Sequence, residues 1–279
     1  MSIKTILACL TSESSADAVM TAACALARRH DAHLIGLRTI EALMVYPGIA
    51  LHIPDSAHDD YGSSQLEQTE TLKAVFEKYT HAEQFVSEWR PVRTGMAMAA
   101  DRIAESAGCA DIVVIAGGGT DIHQSADMKL LETVIHDSGR PVLVVPPTAR
   151  PDTLGRSVLI GWNGTREAVR AAHDVLSLLQ EGDIAHIVHV NDSSHGADQD
   201  ATSRELAAAF ARHGVETTLV QKTWTHPGVA SALNKEAFER GADMIAIGAF
   251  GHSRAYDFII GTATRDLLGR SNLPVLFSR

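Results

Sequence analysis

The chain contains two similar halves, and this internal repeat limits the possible folds more than any other feature of the sequence. The segment GCADIVVI at 108–115 is matched by GADMIAI at 241–247. Each segment is followed by a glycine-containing loop, a helical stretch and a Pro-led apolar run, PVLVV at 141–145 and PVLF at 274–277. The starts also match, with ILA at 6–8 against VLI at 158–160. The repeat predicts two copies of one structural unit.

The predicted domains are residues 1–147 and 153–279, joined by the segment PPTARPD at 146–152, whose prolines cannot continue a helix or a central strand. Ala168 lies 150 residues after its match Ala18, whereas Asp243 lies only 132 residues after its match Asp111. The first copy therefore holds about 18 extra residues. We place them between Tyr46 and Tyr61, where Pro-Gly, Pro-Asp and Asp-Asp pairs predict irregular structure rather than a helix or strand.

Short apolar runs alternate with amphipathic stretches in both copies. The runs lie near residues 6, 34, 86, 113 and 142, and again at 158–160, 184–190, 216–221, 244–247 and 275–277. This alternation predicts an α/β fold with a doubly wound parallel sheet in each copy. The Pro-led final strands are typical of sheet edges, and an edge must be covered or paired. We therefore expect 142–145 and 275–277 to pair, which would make the chain an intramolecular pseudo-dimer.

Composition excludes several classes of partner and site. The formal net charge of −10 disfavours nucleic acid, and the longest apolar runs are far shorter than the roughly 20 residues that span a bilayer. The N-terminus lacks the features of a secretory signal, so we expect a cytoplasmic protein that does not bind membranes. The three cysteines form no disulfide framework or metal-ligand cluster, and His186 and His189 should lie on opposite faces of one strand. No metal site is predicted.

A glycine loop in the second copy is the strongest functional signal. Gly248 and Gly251 follow the strand that ends at Ile247, and nine residues separate Gly251 from Gly261-Thr262, which we expect to open the next helix. Glycines at a strand end let backbone N–H groups approach an anion, and a helix N-terminus adds free amides and its dipole. The alternative is that these glycines only turn the chain and the threonine only caps the helix.

The spacing Gly-x-x-Gly, nine residues, Gly-Ser/Thr resembles the ATP signature of the universal stress protein family. The resemblance covers both halves and implies tandem Rossmann-like, five-stranded parallel sheets with strand order 3-2-1-4-5. It also implies a set of nucleotide-binding residues in the second copy: Gly248, Gly251, Gly261, Thr262, Ala263 and Thr264 in the phosphate loop, and Gly161, Trp162, Asn163 and Val190 on the adenosine side. Asn163 replaces the Asp that is usual in the family.

Several of these residues have a structural alternative. Asn163-Gly164 is also a typical tight turn, and Trp162 is equally suited to the core. Arg254 and Arg265 flank the loop and could contact phosphate oxygens, as guanidinium groups do. The aspartates at 257 and 266 make surface ion pairs the competing expectation. We keep Arg254 as the candidate ligand contact.

The first copy departs from the signature. Its loop reads AGGGTD at 116–121, and ten residues past Gly119 stands Lys129 rather than glycine and a hydroxyl residue. Asp121 and Asp127 would repel phosphate, and the turn LTSE at 10–13 has no Asn or Asp for a ribose. We expect no ATP in this copy, which serves as a partner fold or holds a different ligand.

The expected function is adenine-nucleotide binding, with ATP or AMP as ligand and Mg²⁺ as a candidate companion, in a stress-response or regulatory protein that acts on an unidentified protein partner. No catalytic residue is assigned. A Walker lysine is absent, and an enzymatic alternative, slow ATP hydrolysis or phosphoryl transfer, depends only on the loop, His252 and Asp257. A third alternative is a non-nucleotide small-molecule binder or scaffold. Further homodimerisation is left open.

Overall fold

The computed structural model places ten strands in one continuous sheet with helices on both faces. It describes residues 3–43, 55–117, 124–149, 151, 153–191, 198–223, 228–250 and 257–279. The strands and helices of the first half are β1 (Thr5–Cys9), α1 (Glu13–His30), β2 (His33–Ile40), α2 (Asp55–Thr80), β3 (Ser87–Arg93), α3 (Ala99–Ala107), β4 (Ile112–Ala116), α4 (Gln124–Asp137) and β5 (Val142–Val145). Those of the second half are β6 (Ser157–Trp162), α5 (Arg166–Leu176), β7 (Ile184–Asn191), α6 (Asp198–Ala211), β8 (Glu216–Thr223), α7 (Val229–Glu239), β9 (Met244–Gly248), α8 (Asp257–Arg270) and β10 (Val275–Ser278).

The strand order is β3-β2-β1-β4-β5-β10-β9-β6-β7-β8. Each half therefore has the order 3-2-1-4-5 with parallel neighbours, as the family resemblance implied. The halves meet where β5 and β10 pair antiparallel, with Leu276 opposite Leu143. The predicted pairing of the two Pro-led strands is thus present, and it merges the two predicted sheets into one.

The central strands form because their runs of Val, Ile, Leu and Ala are buried on both faces, as expected for a parallel sheet covered by helices. One core cluster lies between the sheet and α1, α2, α5 and α6. The other lies between the sheet and α3, α4, α7 and α8. Alternate side chains of each strand enter opposite clusters, for example Ile160 the first and Leu159 the second. Strand β3 holds Pro91, which an edge strand tolerates.

The repeated aspartate of each half fixes the start of its first strand. Asp111 Oδ2 accepts hydrogen bonds from the backbone N–H groups of Lys4 and Thr5, at 2.8 and 2.9 Å. Asp243 accepts from the backbone N–H groups of 155, 156 and 157, at 3.0, 2.8 and 3.4 Å. Burial raises the pKa of the Asp243 carboxyl, and these three donors oppose that rise. The repeated Ala-Asp pair is therefore a structural feature of the fold.

Two predicted boundaries are wrong. Helix α2 begins at Asp55, so residues 55–61 are helical rather than irregular, while 44–54 lie outside the described residues. The pair Asp59-Asp60 lies in the second turn of α2, because aspartate is only a weak helix former and does not prevent a helix. Helix α8 begins at Asp257 rather than at Gly261, because the apolar stretch FII at 258–260 has no residue that prevents a helix.

Ion pairs support the junction of the halves on both faces of the sheet. On one face, Arg29 of α1 pairs with Asp183, and both side chains are only about one tenth exposed, at 11% and 10%. The Gln180 side-chain amide also donates to the Arg29 carbonyl at 2.9 Å. On the other face, Arg265 Nε of α8 lies 2.8 Å from Glu132 Oε1 of α4. The two copies are thus held together by side chains as well as by the β5–β10 pairing.

Candidate functional site

The carboxyl ends of β6 and β9 form the candidate site. The chain runs from β6 outward to β7 and β8 and returns to β9 on the other side of β6, so strand order reverses between β6 and β9. Gly161 near the end of β6 lies opposite Ile247, one residue before Gly248. In open α/β sheets the loops that leave such strands diverge to opposite faces and leave a crevice between them.

Gly248 allows α5 to approach the end of β9. A Cβ atom on Gly248 would lie 2.4 Å from the carbonyl carbon of Glu167 and 2.5 Å from the backbone nitrogen of Ala168. Backbone atoms cannot yield at that distance, so only glycine fits with the present placement of α5. This glycine therefore has a packing role that the sequence analysis did not foresee. The contact also brings the loop after β6 and the loop after β9 together.

Gly161 is also closely packed, but against side chains. Its Cβ would lie 2.9 Å from Ile247 Cγ2 and 3.4 Å from Leu233 Cδ1. Both strand-end glycines are half-buried, so their backbones stay partly accessible at the crevice. Because glycine has no side chain, a ligand could approach the backbone closely at both strand ends.

Asn163 forms a tight turn that caps α5. Its Oδ1 accepts from the backbone N–H of Thr165 at 3.2 Å and from the Thr165 hydroxyl at 2.8 Å. Thr165 Oγ1 in turn accepts from the Ala168 N–H at 3.3 Å, and Gly164 has a φ of +73°. The turn alternative is confirmed, and the Asn163 side chain is exposed at the carboxyl end of β6. A structural role and a ligand contact are compatible here.

Trp162 belongs to the core. Its side chain is 6% exposed within the cluster beneath α5 and α6, and its Nε1 donates to Thr202 Oγ1 at 3.5 Å. The indole thus lies on the α6 face of the sheet, as the core alternative expected. Val190, the other predicted adenosine-side residue, pairs with Lys222 near the end of β7.

Phe250 has a left-handed backbone two residues beyond β9, with a φ of +51°. A bulky residue rarely adopts this conformation, and such residues concentrate at functional sites. Packing of the Phe250 side chain against the core on the α7–α8 face holds it in place. Sequence reasoning missed this residue; its position inside the Gly-x-x-Gly motif is the signal that marks it.

The predicted phosphate-loop residues fall into three groups. Gly251 and Arg254 lie outside the described residues, as does His252. Gly261 and Thr262 lie in the second turn of α8 rather than at its start. Ala263 is half-buried and Thr264 is fully buried, at 0% exposed. Arg265 pairs with Glu132 across the two halves, which supports the ion-pair alternative but with a different partner.

The first copy differs at the equivalent positions. The strand registers place Ala116 where the second copy has Gly248, and Thr11 where it has Asn163. Lys129 lies within α4. The loop 118–121 is outside the described residues, so the expected lack of ATP in this copy stays a prediction.

Two kinds of feature, a metal site and a membrane-spanning helix, are absent from the residues that the structure describes. No group of three or more His, Cys, Asp or Glu side chains there could hold a metal ion. Within the same part of the chain, no helix is both long and apolar enough to cross a membrane.

The universal stress protein family model matches residues 2–146 and again residues 155–279. The chain therefore belongs to the universal stress protein family, in a tandem form. A solved universal stress protein from Archaeoglobus fulgidus shares 18% identity and a TM-score of 0.73, covering 99% of this chain and 96% of that one. A functionally unknown protein from Pseudomonas aeruginosa shares 17% identity and a TM-score of 0.59, with 99% and 92% covered. These structures are similar in fold. No curated protein is significantly similar in sequence.

Proposed function

We propose that the second copy binds an adenine nucleotide, ATP in the first place, at the carboxyl ends of β6 and β9, and that the bound state regulates a protein partner in a stress response. The observation that carries the proposal is the contact between Gly248 and the first turn of α5. It joins the turn at Asn163 to the start of the glycine loop at the switch point of the sheet. This is the crevice that open α/β sheets use for nucleotides.

Particular residues fit parts of the ligand. Asn163 is exposed beside the α5 N-terminus, and its amide is suited to a ribose hydroxyl. Gly161 and Val190 lie at the ends of adjacent strands, where a base could pack. Gly248, Gly251, Gly261, Thr262 and Ala263 would hold the phosphates, with Arg254 as a charged contact, while the buried Thr264 would support the loop from within. Mg²⁺ would be held mainly by phosphate oxygens and water, as is usual for this ion. AMP fits the same adenosine contacts.

Regulation rather than catalysis is the better-supported role. The described part of the site offers turn and packing residues but no paired nucleophile and base. Slow ATP hydrolysis is the second candidate function, based on His252 and Asp257 beside the loop. Pure protein that turns over ATP faster than a loop variant would support it.

Calorimetric titration of ATP, with and without Mg²⁺, into nucleotide-free protein tests the proposal. We expect one site per chain. Gly261→Val should abolish binding, because a branched side chain blocks phosphate approach. The matched control is Gly269→Val in the same helix, where a Cβ would meet nothing within 4 Å. Equal ATP affinity of the wild-type protein and folded Gly261→Val would contradict the proposed site.

We further propose that residues 1–147 and 153–279 are the two structural units, in a cytoplasmic protein. Limited proteolysis should cut first between them, near Thr148. Sedimentation of the whole chain with and without ATP would determine whether chains dimerise.

A further inference from the structure

A separate pocket of about 210 Å³ lies between α6 and the strands β7 and β8. It is lined by Ile187, His189, Ser203, Arg204, Leu219, Val220 and Gln221. The pocket lies on the α6 face of the sheet, whereas α8, which carries Gly261, packs on the opposite face. The nucleotide proposal above therefore does not account for it.

The same place in the first copy is filled. The strand registers make Gly36 equivalent to Ile187 and Trp89 equivalent to Leu219. In the first copy the Phe76 ring of α2 lies directly over Gly36 and contacts Trp89, with ring centroids 5.5 Å apart. In the second copy Ile187 and Leu219 form a wall of the pocket, and Leu219 is 43% exposed. One copy packs this space with aromatic rings and the other leaves it open.

His189 is a buried polar residue of the pocket lining. Its side chain is 6% exposed, and its Nδ1 has no hydrogen-bond partner among the residues that the structure describes. The equivalent residue of the first copy is Arg38, whose guanidinium donates to the carbonyl of Thr11 at 3.0 Å and to the side chain of Gln68 at 3.0 Å. A buried ring nitrogen without a partner is costly, so such an atom points to a bound polar group.

The charge and shape of the lining define the chemistry of that group. Arg204 is exposed at the rim, and no acidic residue is among the described residues that line the pocket. Arg204 is therefore the cationic group of the described lining, and it favours an anionic head. Ile187 and Leu219 offer an apolar wall for the rest of the ligand. An apolar cavity of about 150 Å³ is enough for benzene, so this pocket has room for a ring and a carboxylate.

We propose that the pocket between α6, β7 and β8 binds a small carboxylate with an apolar body. The carboxylate lies between His189 and Arg204, and the body packs against Ile187 and Leu219. The residues proposed for this pocket are different from those proposed for the nucleotide.

The test is a titration of the folded, full-length protein with sodium benzoate, followed through the ¹⁵N and ¹H resonances of the histidine rings. The His189 ring resonances should shift and saturate. Benzyl alcohol, which is similar in size but neutral, should bind more weakly. Arg204→Gln should weaken benzoate binding roughly threefold, as expected for an exposed charge pair. Arg212→Gln, which removes an exposed arginine just beyond α6, should leave it unchanged.

Leu219→Trp provides the decisive variant, because it places in the pocket the residue that the first copy carries. The residue is partly exposed, so the larger side chain should be tolerated, and benzoate binding should be lost while ATP binding is kept. No saturable shift of His189 with benzoate would overturn the proposal, and so would equal shifts in the wild-type protein and Leu219→Trp. Either result would mean that the pocket holds only water.

Discussion

The backbone of Glu167 occupies the space that a side chain on Gly248 would need, with a Cβ-to-carbonyl-carbon distance of 2.4 Å. We predict that Gly248→Ala lowers the free energy of unfolding by about 1–3 kcal/mol, the usual cost of overpacking. Chemical denaturation measures this effect. The control is Gly269→Ala, an exposed helical site with nothing within 4 Å, which should be neutral or stabilising. A fully stable Gly248→Ala protein would show that α5 can move away from β9.

Asn163 allows the structural and binding roles of one residue to be separated. Asn163→Ala removes the acceptor for the Thr165 N–H and should cost about 1 kcal/mol of stability, as for a lost hydrogen bond. Asn163→Asp keeps the acceptor and adds a negative charge near the α5 N-terminus, so its stability should be kept. If the site binds ribose, ATP affinity should fall in the first variant and be kept or rise in the second. Parallel thermal and calorimetric measurements separate the two effects.

The Arg29–Asp183 pair should be important for the junction of the halves. Removing one member of a buried pair leaves an uncompensated charge, so Arg29→Met should cost about 3 kcal/mol. Arg28 pairs with Glu83 at the surface, where its side chain is 52% exposed, and Arg28→Met should cost less than about 1 kcal/mol. Urea denaturation of both variants provides the comparison. Similar losses in the two would mean that the buried pair has no special role in the junction.

His186 should make stability depend on pH. Burial lowers the pKa of its imidazole, the nearby Arg240 lowers it further, and Glu236 opposes the shift. The folded pKa is therefore below the unfolded value of about 6.5, so the contribution to stability is present above pH ~6.5 and is lost as pH falls below it. His30, whose pKa burial also lowers, adds to the same trend.

The measurement is the free energy of unfolding between pH 7 and 5 for the wild-type protein and His186→Gln. The variant should lose less stability on acidification, since glutamine carries no charge and can still reach Ser157 Oγ, which lies 3.3 Å from the histidine Nε2. His173→Gln removes an exposed histidine of α5 and should follow the wild-type curve. Parallel curves for all three proteins would exclude His186 as the source.

The β5–β10 pairing could be predicted because the two Pro-led strands are a local signal for sheet edges. The strand order was predicted only through the resemblance to the universal stress protein family. The sequence did not predict that α2 begins at Asp55, since acidic pairs occur in turns and in helices alike. The sequence also did not predict the packing role of Gly248. A motif shows that glycine is present, but only the packing of α5 shows which atoms exclude a side chain.

Trp162 and Asn163 also show that a motif does not reveal which contacts a residue makes. Each had two interpretations, and the structural one is supported by the contacts of Trp162 with Thr202 and of Asn163 with Thr165. The pocket near His189 had no sequence signal, because its walls come from two strands and one helix. The second copy has Leu219 where the first copy has Trp89, and this difference is apparent only from the strand registers of the two copies.

The antiparallel join of β5 and β10 has a final consequence. It reverses strand direction at the centre of the sheet, so the carboxyl ends of β1 and β4 lie along one rim and those of β6 and β9 along the opposite rim. Two identical chains assembled this way would have to present the same residues on both rims. Covalent fusion removes that constraint, and this molecule has Ala116 on one rim and Gly248 on the other. The single chain is thus a pseudo-dimer with two different rims, and the strands of one sheet connect them.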